Sequence, residues 1–76
     1  MNKARRNRIN EIIEKLNELK DEAENIMDEE QEAFDNMPEG IQESERGDAM
    51  QEAIDNLSSA MDSIDEAIEY LNEASN

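Results

Sequence analysis

The three residues that most readily break a helix, Pro38, Gly40 and Gly47, all fall within ten consecutive positions of this 76-residue chain. A proline inside a helix loses a hydrogen bond and clashes with the preceding turn, and a glycine there costs about 1 kcal/mol relative to alanine. The two flanks contain neither residue. Each is therefore free to run as one long helix, and the stretch "DNMPEGIQESERGDAM" between them is where the chain changes direction.

The apolar spacing of both flanks fits helices. In the first, Ile9, Ile12, Leu16, Leu19, Ala23, Ile26, Ala33 and Met37 follow alternating steps of three and four, with Glu30 as a polar interruption. Ile13, Met27 and Phe34 lie beside that stripe and widen it. In the second, Met50, Ile54, Leu57, Met61, Ile64, Ile68 and Leu71 step without a miss, and Ala53, Ala60, Ala67 and Ala74 recur every seven residues beside them. A repeat near 3.5 residues marks a helix that packs along its length against another. The pattern predicts an all-α chain: an antiparallel, coiled-coil-like hairpin forming a single domain over 1–76. It places the first helix at about 4–36, the turn at about 37–44 and the second helix at about 45–74. Pro38 can open a short helical turn at "PEGIQ", and Ser44 or Asp48 can cap the second helix, Asp48 with Gln51 at capping-box spacing.

Folding at that turn pairs Ile26 with Leu57, Leu19 with Ile64, Ile12 with Leu71, Leu16 with Ile68 and Ala23 with Met61, and sets Glu30 opposite Ile54. Two helices share one seam. Ile13, Met27 and Phe34 would then flank it on one side, and Ala53, Ala60 and Ala67 on the other. A chain this short buries only ~60% of its unfolded surface, and it has no cysteine or histidine for a disulfide or a structural zinc. Oligomerisation is the remaining common remedy. The expectation is a homodimer in which those flanks meet and close a four-helix bundle.

The charge is strongly one-sided. The chain carries a net −15, yet Lys3, Arg5, Arg6 and Arg8 make its first eight residues basic, and Arg46 is the only cation after Lys20. An acidic body repels nucleic acid and anionic membranes and attracts basic proteins. No apolar run approaches a membrane-spanning length and no apolar stretch follows the basic start, so the expectation is a cytoplasmic protein without direct nucleic-acid or membrane contact. The basic start is expected beside Glu66, Glu69 and Glu73 at the far end of the second helix.

Enzyme templates find no foothold. The chain lacks the common general base and the strongest nucleophile, its serines have no partner base, and its carboxylates are too many for one pair to stand out. "DEEQEAFDNMPEG" has alternating acids, but Ala33 occupies the place where a calcium loop needs glycine. The expectation is no catalysis, no metal and no cofactor. What stands out is a pair of acidic ladders. Glu11, Glu14, Glu18, Asp21, Asn25, Asp28, Glu32 and Asp35 step along the outer face of the first helix. Asp48, Glu52, Asp55, Ser59, Asp62, Glu66, Glu69 and Glu73 do so on the second. Like charges four apart cost ~0.2–0.5 kcal/mol per pair. A stiff rod of carboxylates suits a strongly basic groove, including one that ordinarily holds nucleic acid.

The stretch "EAFDNMPEGIQESERGDAMQEAIDNL" resembles small acidic helical proteins carried by Firmicutes and their phages and prophages. That resemblance brings no functional motif. It implies either an inhibitor of a host nucleic-acid enzyme or defence system, or a small assembly accessory. Three readings follow: a non-catalytic protein–protein interaction module, a nucleic-acid mimic acting through the ladders on a basic host protein, and a purely structural dimer.

Overall fold

The computed structural model describes residues 1–76, and all of its regular secondary structure is helical. Helix α1 spans Lys3–Asp35, the one-turn helix α2 spans Glu39–Gln42, and α3 spans Glu45–Ser75. Helices α1 and α3 would measure about 95 Å end to end at ~1.5 Å per residue. The chain extends only 58 × 15 × 11 Å, and α1 packs on α3. The two long helices therefore lie side by side.

Local chemistry explains the ends. The Asn2 side chain accepts the Arg5 backbone N–H at 2.8 Å, satisfying one of the free donors at the start of α1. Asn36 closes α1: its N–H donates to the Glu32 carbonyl, and the N–H of Met37 donates to the Phe34 carbonyl, both at 3.1 Å. Pro38 is extended at the N-cap of α2, where its carbonyl accepts from Ile41 and Gln42. Ser44 stands at the N-cap of α3 without a side-chain capping bond, because its hydroxyl donates back to the Ile41 carbonyl. Asp48 lies inside the first turn of α3. The capping box expected from Asp48 and Gln51 is therefore not formed.

The connection is tightly stitched. Gln42 Nε2 donates to the Phe34 carbonyl at 2.9 Å, tying α2 to the end of α1. Gly47, the one buried residue, lets the start of α3 approach the Gln42 backbone. Its φ is not positive, so closeness rather than backbone freedom requires glycine here.

The face of α1 turned to α3 differs from the expected one. Half-buried positions on α1 are Ile9, Ile13, Leu16, Lys20, Ala23, Met27, Glu30 and Phe34, and Met37 just beyond its end is half-buried too. Ile13, Met27 and Phe34, expected to flank the seam, are within it. Ile12, Leu19 and Ile26, expected to pair with Leu71, Ile64 and Leu57, stay 46%, 56% and 48% exposed. Lys20 shares the column of Ile13, Met27 and Phe34 and does not bar it from the contact. Its stem lies along the apolar face while its ammonium reaches Asp65 on α3, with hydrogen bonds of 2.7 and 2.8 Å to the two carboxylate oxygens. On α3 the half-buried row is Met50, Ile54, Leu57, Met61, Ile64, Ile68 and Leu71, as the spacing predicts.

The hydrogen bond to Asp65 holds the Lys20 ammonium above its ordinary pKa of 10.5, against some desolvation, with the charges of Asp65, Glu24 and Asp21 adding to the rise. A pKa raised by folding means that the pair's contribution is complete below the unfolded value and is lost as pH climbs through the folded one. As pH rises above 10.5, the thermal midpoint of the wild type should fall more than that of Lys20→Met. Parallel curves would show that this pair contributes nothing.

Candidate interaction surfaces

No apolar side chain in the single chain is fully buried, so every large hydrophobic residue keeps part of its surface in water. Much of that surface falls in one column. Ile12, Leu19 and Ile26, each about half exposed, recur every seven residues, and Ala33 continues the row in the open. At ~100° per residue this column stands roughly 80° around α1 from the middle of the face that meets α3. On α3, Ala60 and Ala74 are exposed while Ala53 and Ala67 are half-buried. Beside them, Ala49, Asn56, Ser63 and Tyr70 form an uncharged column, with Tyr70 64% exposed. The unburied flank on α1 is therefore Ile12, Leu19 and Ile26 rather than Ile13, Met27 and Phe34. Lysine and glutamate in the seam obscured this in the sequence. The usable signal was that a lysine stem can lie along a seam with its ammonium in water, so Lys20 does not bar its column from the contact.

The acidic ladders lie where their spacing puts them. Glu11, Glu14, Glu18, Asp21, Asp28, Glu32 and Asp35 on α1 are exposed, as are Asp55, Asp62, Glu66 and Glu69 on α3. None forms an ion pair, since Lys20–Asp65 is the only salt bridge. The only side-chain hydrogen bond within the ladders is from Gln31 to Asp35 at 3.0 Å. The charges are unevenly spread along the rod. Residues 24–55, around the connection, carry a net −11, whereas residues 1–15 and 64–76 at the other end total −1.

The basic start is helical rather than a loose arm. Lys3, Arg5, Arg6 and Arg8 occupy the first two turns of α1, all exposed. They form no ion pair, so the expected grip on Glu66, Glu69 and Glu73 is not made. Arg5 and Arg8 instead border an open, shallow depression floored by Met1, Ile9 and Ile12, at the end of the exposed apolar column. No three acidic side chains converge as a metal site would need, and no helix is long and apolar enough to cross a membrane.

Compared with models of protein families, with curated proteins and with solved structures, the chain matches none.

Proposed function

We propose that this chain is a non-catalytic protein–protein interaction module: an antiparallel helical hairpin that associates through one uncharged face and closes a four-helix bundle. The side-by-side packing of α1 and α3 and the Lys20–Asp65 pair support the antiparallel arrangement. The observation that carries the function is the column Ile12, Leu19 and Ile26, left about half exposed in a chain of which 38% is charged. Scattered exposed hydrophobics need no explanation, but a continuous row that acids avoid indicates an interface. The reading places the protein in the cytoplasm and needs no cofactor.

Association makes stability depend on concentration. The thermal midpoint should rise steadily over a hundredfold increase in protein concentration. A midpoint independent of concentration would refute self-association.

A second reading makes the hairpin an inhibitor that mimics nucleic acid on a basic host protein. Two features favour it: the exposed carboxylates, unpaired with any cation, and the resemblance to phage-borne acidic proteins. Replacing Asp28, Glu32 and Asp35 by lysine should then cost at least roughly tenfold in affinity for such a partner, since charged interface contacts contribute ~1.4 kcal/mol or more. Unchanged binding to a basic partner captured by the wild type would end this reading.

A further inference from the structure

The exposed face of α1 carries a charge pattern as well as an apolar column. Next to Ile12, Leu19, Ile26 and Ala33, one column further from α3, stand Arg8, Lys15, Glu22 and Glu29, all exposed. The order is two cations and then two anions, each seven residues from the next. The apolar column is centred on Leu19, with Ile12 and Ile26 seven residues to either side.

Such a strip complements itself in only one sense. If two copies of α1 meet in the same direction, Arg8 faces Arg8 and Glu29 faces Glu29. If one is reversed about Leu19, Arg8 falls beside Glu29 of the other copy and Lys15 beside Glu22, and the twofold symmetry repeats both pairs. Ile12 then lies over Ile26, and Leu19 over Leu19. Reversal also separates the two connection ends, each carrying −11, and sets each against the nearly neutral end of its partner. Pairing α1 with α3 of the second copy, both connections at one end, leaves Arg8 and Lys15 facing the uncharged column Ala49, Asn56, Ser63 and Tyr70.

The alanine column is on the same side. Lys20 reaches Asp65 across one edge of the α1–α3 contact. In an antiparallel pair, helical rotation then places both residue 12 and residue 60 columns at the opposite edge. Small side chains there let the two α3 helices approach near the short end of the ~8–10 Å range. The strip is about 40 Å long, and the rod is 15 Å across. That offers roughly 600 Å² per copy, which meets the lower bound of ~1,200 Å² in total for a stable complex.

We propose that the occupant of this face is a second copy of the chain, docked end for end with Leu19 near the twofold axis and with Arg8–Glu29 and Lys15–Glu22 pairs at the rim. This rests on reading the face as an interface, as above. An isologous contact of this kind is closed and stops at two copies.

The chain has no cysteine, so single thiols report orientation cleanly. Full-length Ile12→Cys and Ile26→Cys variants are treated with a short thiol–thiol cross-linker, separately and mixed. The mixture should link at least roughly tenfold faster than either variant alone, in keeping with the short reach that cross-linking demands. Equal self-linking by Ile12→Cys would overturn the reversed orientation. No linking in any sample, with a solution mass of two chains, would overturn the choice of face. A solution mass of one chain would overturn the association itself together with this proposal. Charge reversal gives an independent measure that leaves the apolar column intact. Arg8→Glu with Lys15→Glu should dissociate the pair, and adding Glu22→Lys and Glu29→Lys should restore it. Failure of the fourfold variant to re-associate, while still helical by circular dichroism, would contradict the assigned rim pairs.

Discussion

Gly47→Ala should lower the thermal midpoint by about 10–20 °C at fixed protein concentration, corresponding to a loss of ~2–3 kcal/mol. A Cβ added at Gly47 would lie 2.5 Å from the Gln42 carbonyl carbon and 2.8 Å from its Cα. Those are backbone atoms, which cannot rotate aside, so the α2–α3 junction must open. Opening it strains the 2.9 Å bond from Gln42 to the Phe34 carbonyl, which anchors α2 to α1. Alanine gains up to ~1 kcal/mol of helix propensity over glycine, and this offsets only part of the cost. The other glycine provides the control. Gly40 has nothing within 4 Å of an added Cβ and its φ is not positive. Gly40→Ala should therefore stabilise by about 0.4–1 kcal/mol through the unfolded chain. Melting curves in which Gly47→Ala equals or exceeds the wild type would refute the close approach at the connection.

Leu19→Lys should weaken association by roughly 30- to 150-fold. Leu19 is 56% exposed in the single chain, so about half of its side chain remains to be buried on pairing. Burying a leucine fully contributes ~1.5–3 kcal/mol, and the twofold axis counts the residue twice, giving about 2–3 kcal/mol per pair of chains. Two ammonium groups meeting near the axis add repulsion to that loss. The single helical chain has no fully buried apolar residue, so its thermal midpoint should fall along with its association. Glu18→Lys changes the charge by more, but on the outer ladder, and should leave the solution mass unchanged. Dissociation by Glu18→Lys to the same degree would show that net charge, not the apolar column, governs the assembly.

The helical class was legible because two independent signals agree. Pro38, Gly40 and Gly47 are confined to one stretch, and both flanks step by three and four. α3 was the easier helix to read, since its half-buried row has no polar member from Met50 to Leu71. α1 was harder because it offers two adjacent columns. Counting hydrophobicity favours Ile12, Leu19 and Ile26 over a column that contains Lys20. Burial of a lysine stem with its ammonium paired to Asp65, 45 positions away, cannot be read from spacing along one helix. Gly47 was read as a breaker when it is a point of contact, which depends on the angle at which α3 meets α2. Of the two caps open to the sequence, Ser44 and Asp48, it is Ser44 that stands at the start of α3, but its hydroxyl turns to the Ile41 carbonyl, a local alternative always open to serine. The acidic ladders are exposed because outer positions of a two-helix rod follow directly from the seam.

Sedimentation equilibrium of the full chain, over a wide range of loading concentrations and beside Leu19→Lys, tests the central claim most directly. The account predicts twice the 8.7 kDa chain mass for the wild type and a shift toward a single chain for the variant. A wild type that sediments as one chain at every concentration would contradict it.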